Sequence, residues 1–377
     1  MKIVLAPDKF KGNMTSPEIC EVIRKAFLLE MPEAEIVSVP LADGGEGTTA
    51  AVTAASHGTL HQVRATGPLG KPVEAVYGLF RNGTAAVLEM SSASGLALLS
   101  RGGLDPLHAD TFGTGELIRA VLDAGVKSLI IGIGGSATVD GGTGMARALG
   151  YRFLDADGGE LPPGPGSLTR LARIDVSGAD ERLFHTEIKV ACDVTNPLLG
   201  LQGTVAVYGP QKGVTAETAP VLEQGLTRLA EVWKRQNMLL SERPGDGAAG
   251  GLGAGLRAFC HAEPTSGARL IMKISGLERH LEGADLLITG EGCTDSQTES
   301  GKLCGEVAEL AHRHHVPVLL LSGALKGAPE NFSRRFDYAF STSTGAHADV
   351  AAAIRAGKRD LSFTARNLAR LFKRGVC

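Results

Sequence analysis

The stretch "LIIGIGGSATVDGGTGMARALG", Leu129 to Gly150, decides how this chain is read. A β-branched apolar run, Leu129 to Ile133, passes through glycines into a segment of helical composition. Gly132-x-Gly134-x-x-Ala137 satisfies the relaxed dinucleotide fingerprint, in which a helix N-terminus receives a pyrophosphate. The same amides suit another kind of phosphate cradle, and the run also fits an ordinary strand-to-helix turn. The fingerprint belongs in the first βα unit, with an acid about 20 residues further on. Here it stands in mid-chain, with Asp155 and Asp157 near that distance. Asp140 lies against Gly141 and Gly142, which the fingerprint does not need.

Outward from this run the pattern repeats. "KIVLAPD", "EIVSVPLADGG", "EIKVACD", "ADLLITGEG", "VPVLLLSGA" and "FDYAFSTSTG" are short apolar runs ending in Gly, Asp or Ser. Between most of them lie helix-like stretches such as "SPEICEVIRKAFLLEM", "TGELIRAVLDAG" and "LCGEVAELAHRHH". Apolar strands alternating with helices predict an α/β fold whose mainly parallel sheet is covered on both faces. Ligands in such folds bind beyond the carboxyl ends of the strands, so the polar residues ending these runs are the candidate site. The segment from His61 to Met90 departs from the pattern: Asn82-Gly83 between two apolar runs predicts a hairpin and an antiparallel excursion. The predicted layout is a discontinuous α/β domain, residues 1–65 plus 285–377, with a second α/β domain, residues 66–284, inserted into it.

Fifty of the 377 residues are glycine, roughly 13% against an average of about 7%. They are not periodic and cluster between the apolar runs, as tight strand-to-helix loops require. A net charge of −3 with no long basic run excludes nucleic acid as an expected partner. None of the six cysteines forms a C-x-x-C pair, which argues against a zinc ribbon or redox motif. "MKIVLAPDKFKG" is too short in its apolar run for a signal peptide, and no membrane span is apparent, so a cytoplasmic protein is expected. Gly301-Lys302 is followed by Leu303, so there is no Walker A loop, and no G-x-S-x-G elbow occurs.

Five segments carry the candidate chemistry. "APDKFKGNMTS", Ala6 to Ser16, sets Asp8, Lys9 and Lys11 beside a helix that Thr15 or Ser16 can cap, a setting for phosphate or carboxylate. "PLADGGEGT", Pro40 to Thr48, holds Asp43 and Glu46 among three glycines, where acids orient hydroxyls, bind a metal or take a proton. "ACDVTNPLLG" ends a strand at Asp193, placed to bind Mg²⁺ directly or through water. "GDGAAGGLGAG", Gly245 to Gly255, is a poor helix former and reads as a loop or lid. "ITGEGCTDSQTESGK", Ile288 to Lys302, is the densest polar cluster, with Glu291, Thr294, Asp295, Gln297, Ser300 and Lys302, the last placed to meet a phosphate. His312, His314 and His315 end an amphipathic helix and read as a complement to its dipole.

Seven motifs together resemble the bacterial type 1 glycerate kinases: "APDKFKG..TS" at Ala6, "PLADGGEGT" at Pro40, "DTFGTGELI" at Asp110, "IGIGGSATVDGGTGMARALG" at Ile131, "CDVTNPLLG" at Cys192, "GAAGGLGAG" at Gly247 and "ITGEGCTDSQTESGK" at Ile288. They fall in family order over nearly the whole chain. The resemblance implies two Rossmann/flavodoxin-like α/β domains with the active site in the cleft between them. It also implies ATP- and Mg²⁺-dependent phosphorylation of D-glycerate to 2-phosphoglycerate, in glucarate, galactarate or glyoxylate degradation. Expected partners are the small molecules D-glycerate and ATP, with no nucleic acid, no membrane, and a homodimer as the assembly to test. On residue chemistry, Lys9 and Lys11 meet the carboxylate or the transferred phosphate. Asp193 and Asp295 hold Mg²⁺ or accept the hydroxyl proton, with Asp43 as a third candidate for the proton. Gly134, Gly135, Ser136 and Asp140 lie along the nucleotide or phosphate path. The alternatives are the same kinase forming 3-phosphoglycerate and, more distantly, a nicotinamide-dependent oxidoreductase or a sugar-acid-binding regulator.

Overall fold

In the computed structural model, which describes residues 1–295, 303–345 and 347–375, the apolar runs become the strands of separate sheets in two units. One unit is Met1–Asp43, Ala50–His57 and Ala268–Cys377; the other is Gly44–Thr49 and Gly58–Gly267.

The first unit holds β1 (Lys2–Leu5), β2 (Glu35–Ser38), β11 (Leu286–Glu291), β12 (Val318–Ser322) and β13 (Tyr338–Ser341), all parallel in the order β13-β12-β11-β1-β2. Ile19, Cys20, Val22, Ile23, Ala26 and Phe27 recur at helical spacing, so the helix Ser16–Glu30 buries one face. Thr15 begins that helix with a capping box: the Glu18 carboxylate accepts from the Thr15 N–H at 2.8 Å while Thr15 Oγ1 accepts from the Glu18 N–H. The helix packs Ile23 and Phe27 into a core with Ile3, Leu5, Ile288, Leu321 and Leu361. The chain winds outward from β1 to β2, then returns to the other side of β1 with β11. The topological switch point therefore lies between β1 and β11, where an open α/β sheet places its ligand.

The second unit holds β3 (Thr59–Thr66), β4 (Pro72–Phe80), β5 (Ala85–Glu89), β6 (Ser128–Gly132), β9 (Glu187–Ala191) and β10 (Glu263–Thr265), in the order β10-β9-β6-β5-β4-β3. Within this sheet β5, β6, β9 and β10 are parallel, while β3 and β4 are antiparallel additions. β7 (Arg152–Leu154) and β8 (Arg173–Asp175) form a separate antiparallel ribbon. The turn between β4 and β5 has Asn82 and Gly83 at φ 55° and 79°, the left-handed conformation that Asn-Gly favours, and Phe80 pairs with Ala85. Leu88, Leu117, Ile131, Leu226, Trp233 and Phe259 lie in the core.

The segment Gly245–Gly255, expected as a loop or lid, instead enters a buried helix, Ala248–Cys260, broken at Ala249–Gly251 by left-handed backbone. Tertiary packing overrides the poor propensity here. A Cβ on Gly255 would stand 2.3 Å from the Gly141 carbonyl oxygen, so glycine lets this helix lie directly on the loop after β6. Leu252, Leu256 and Phe259 on the same helix are fully buried. Among the described residues, no helix is long and apolar enough to cross a membrane, and the cysteines are unbonded.

Candidate active site

In the first unit the switch point gathers residues from three strand ends. After β1, the Asp8 N–H donates to the Gly290 carbonyl of β11 at 2.8 Å, which pins the loop across the switch. Ser16 Oγ donates to the Pro7 carbonyl at 2.7 Å and accepts from the Leu41 N–H at 3.0 Å, tying the loops after β1 and β2 together. Lys9 Nζ then lies 3.2 Å from Asp43 Oδ1 and 4.0 Å from Asp8 Oδ1. Asp8 Oδ1 also accepts from the Lys9 N–H at 2.7 Å. The side chains of Asp8 and Lys9 are 13% and 18% exposed, against 46% for Asp43. Burial pushes the Asp8 carboxyl up from 3.8 to about 7; Lys9 pulls it down, while the negative charges of Asp43 and Glu291 raise it further. The site is thus a lysine among three carboxylates, one of which holds its proton close to neutral pH.

Glu291, the last residue of β11, and Asp295, just beyond it, are half-buried. The segment between them is held by Thr294, whose N–H donates to the Ala324 carbonyl at 2.9 Å and whose Oγ1 donates to Ser322 Oγ at 3.0 Å. Lys11 is exposed on the loop after β1. Lys302 lies outside the described residues, as do Gln297 and Ser300. His312 and His314 face carboxylates, Asp337 at 3.0 Å and Glu278 at 3.2 Å.

In the second unit the strand ends of β5, β6 and β9 carry a different construction. Glu89, at the end of β5 and buried, accepts from the Gly47 and Thr49 N–H groups at 3.0 and 2.6 Å. That carboxylate draws the 44–49 turn onto the sheet and leaves Glu46 exposed on it. The fit needs glycine: Cβ atoms on Gly132 and Gly134 would each stand 2.6 Å from the backbone of Gly44 or Gly45. The Gly134 N–H donates to the Gly44 carbonyl at 3.3 Å. Gly135 is exposed, and Ser136 is buried with its Oγ accepting from Lys212 Nζ at 2.6 Å. Asp193 is exposed at the end of β9, with Oδ1 accepting from the Gly267 N–H at 2.9 Å.

The dinucleotide reading of the glycine run does not survive this geometry. The helix after β6 begins only at Thr143, and the amides of Gly134, Ala137, Gly141 and Gly142 before it donate to groups inside the protein. The Ala137 N–H donates to the Ser94 carbonyl at 3.0 Å and the Gly141 N–H to the Gly250 carbonyl at 2.9 Å. Asp140 has no exposed surface. Its carboxylate accepts from Thr111 Oγ1 at 2.7 Å and from the N–H groups of Thr111, Gly142 and Gly144 at 3.0, 3.2 and 2.9 Å. Asp140, expected along a phosphate path, therefore braces the loop from within. Asp155, a candidate for the ribose, accepts from the Asp157 and Gly159 N–H groups in a tight turn after β7.

Sequence reasoning gave no role to Asp8, Glu89 or Lys212. Asp8 and Glu89 do carry a faint signal, as acids at or just beyond the ends of apolar runs. Lys212 carries none.

Among the described residues no three His, Cys, Asp or Glu side chains converge as a metal cage. Mg²⁺ does not require one, since it keeps water and phosphate oxygens and takes only one or two protein carboxylates. An exposed strand-end carboxylate such as Asp193 fits that demand.

The chain matches the glycerate kinase family model over residues 3–373. It is 44% identical to a protein named glycerate kinase from Bacillus subtilis over 92% of this chain and 91% of that one. It is 46% identical to a protein named glycerate 2-kinase from Escherichia coli over 86% of each chain. A solved structure described as glycerate kinase 2 from Salmonella typhimurium LT2 superposes with a TM-score of 0.88 at 44% identity, covering 100% of this chain and 99% of that one.

Proposed function

The chain belongs to the glycerate kinase family, a family of phosphotransferases, and on that premise we propose that it transfers the terminal phosphoryl group of ATP to the 2-hydroxyl of D-glycerate, giving 2-phosphoglycerate and ADP. The choice of hydroxyl rests on one observation, the 46% identity with the Escherichia coli protein named glycerate 2-kinase. The reaction suits organic-acid catabolism of the glucarate, galactarate or glyoxylate type.

Phosphoryl transfer asks little covalent chemistry of the protein; it asks for placement, a proton acceptor and cations against developing charge. Lys9 supplies a cation at the switch point, for the glycerate carboxylate or the transferred phosphoryl group, and Lys11 supplies a second on the same loop. Asp8 takes the hydroxyl proton, because a base works best when its pKa lies near the operating pH and burial brings Asp8 to about 7. Asp43 orients Lys9, and with Glu291 keeps Asp8 basic. Gly134, Gly135 and Ser136 line the phosphate path, shaped from within by Asp140, while Glu46 and Lys302 border the substrates. When bound, Mg²⁺ neutralises phosphate charge, and Asp193 and Asp295 are the residues proposed to hold it.

The product identifies the reaction. With ATP, Mg²⁺ and D-glycerate, adding enolase without a mutase is expected to give phosphoenolpyruvate at once. A signal that requires a mutase would mean the 3-isomer, and no glycerate-dependent ATP consumption would remove the kinase reading. Asp193→Asn and Asp295→Asn are each expected to raise the Mg²⁺ concentration for half-maximal rate at least about tenfold. Wild-type Mg²⁺ dependence in both variants would take these residues out of the metal's coordination.

A further inference from the structure

We propose that Lys212 is a positioning residue for phosphoryl transfer: a buried clamp that sets the shape of the Gly134–Asp140 loop and the direction of the Ser136 hydroxyl. The proposal rests on the reading of that loop as part of the kinase site.

Lys212 ends a short 3₁₀ turn, Pro210–Lys212, and is 2% exposed. Its Nζ donates to Ser136 Oγ at 2.6 Å and to the Thr138 carbonyl at 2.8 Å. Asp140, buried in the same loop, is the charged group that faces it. Burying an ammonium is costly, and that burial pulls Lys212 down from 10.5 to about 7. Once deprotonated, the amine keeps two hydrogens, one for each acceptor it touches. A methionine of similar length would fill the space without that desolvation cost.

What the lysine adds is geometry. One nitrogen fixes two points of a loop that opens on glycines, with Gly135 at φ 78°. Because Ser136 Oγ accepts from Lys212, the serine's own hydrogen is turned away from the lysine and is available as a donor. At the end of β6, a fixed hydroxyl donor next to an exposed glycine recognises an anionic oxygen, either a phosphate of the nucleotide or the carboxylate of glycerate.

The test is a double-mutant cycle on the full-length enzyme with K212M, S136A and K212M/S136A. Each variant is followed by thermal unfolding and by steady-state kinetics with ATP and D-glycerate varied separately. K212M is expected to melt no lower than the wild type yet lose about tenfold or more in kcat/KM, because a misplaced loop costs catalysis and not folding. S136A is expected to lose activity in the same direction, and the double variant to be no worse than K212M. The substrate whose KM rises with S136A identifies the source of the anion.

A folded K212M with wild-type kcat and KM would overturn the proposal, as would a fully additive cycle. If K212M does not fold, S136A carries the test: a loss of kcat/KM supports the clamp, and wild-type kinetics reduces Lys212 to a structural residue. A wild-type protein without glycerate-dependent ATP consumption would instead overturn the kinase reading, and the clamp with it.

Discussion

Asp8→Asn is expected to lower kcat about a hundredfold or more while leaving the thermal midpoint unchanged or raised. The two effects have one origin. The Asp8 carboxyl is buried beside Lys9, Asp43 and Glu291, and its pKa rises from 3.8 to about 7. A base of that strength accepts a hydroxyl proton well near neutral pH, and asparagine cannot accept it. In wild type, kcat/KM should rise as pH passes upward through about 7, because the carboxylate is the working form. That limb should be absent in Asp8→Asn.

The sign for stability is opposite. Between about pH 4 and 7 the unfolded chain has released this proton and the folded chain retains it. Folding therefore takes up a proton there, and this group's contribution to stability falls as pH rises through the window. Asparagine, of nearly the same shape and without charge, removes that loss. Parallel pH–rate profiles and melting curves check both effects. A folded Asp8→Asn variant with wild-type kcat would remove Asp8 as the proton acceptor.

Lys9→Met is expected to lower kcat/KM by about 10²–10³ and to move the same limb to higher pH. Lys9 is the cation 3.2 Å from Asp43 and 4.0 Å from Asp8, and it holds the Asp8 carboxyl below the value that burial alone would set. Without it, Asp8 faces Asp43 and Glu291 with no compensating charge from this position, so its proton is bound more tightly. The rate also loses a cation where negative charge develops. Lys9→Arg keeps the charge but changes its shape, and is expected to restore the position of the limb more fully than the rate. An unshifted limb in Lys9→Met would show that the group titrating near neutral pH is not Asp8.

The main features of the fold were legible because they rest on local chemistry. Apolar runs such as Leu286–Glu291 and Val318–Ser322 are too continuous for one-sided strands, and a sheet covered on both faces is the structure that buries them. Asn82-Gly83 announced its hairpin through backbone conformation alone. The glycine segment after Gly245 misled, because low helix propensity is a local property and the packing of Leu252, Leu256 and Phe259 is not.

The residue order by itself determined the alternation of strand and helix, the mainly parallel sheets, the polar strand ends and the family motifs, since each depends on residues close together in the chain. Tertiary structure alone decided which acids share a site. Asp8 becomes a base near pH 7 because the fold buries it, and because Asp43 and Glu291, distant in sequence, bring negative charge beside it. Lys212 looks like any lysine in a turn until desolvation and the two acceptors of the Ser136–Thr138 loop give it a structural position. The run from Gly132 to Gly144, which by its spacing suggested a dinucleotide, commits the amides of Gly134, Ala137, Gly141, Gly142 and Gly144 to Gly44, Ser94, Gly250 and Asp140. Burial and the distances between remote groups set those outcomes, and neither is a property of a short stretch of sequence.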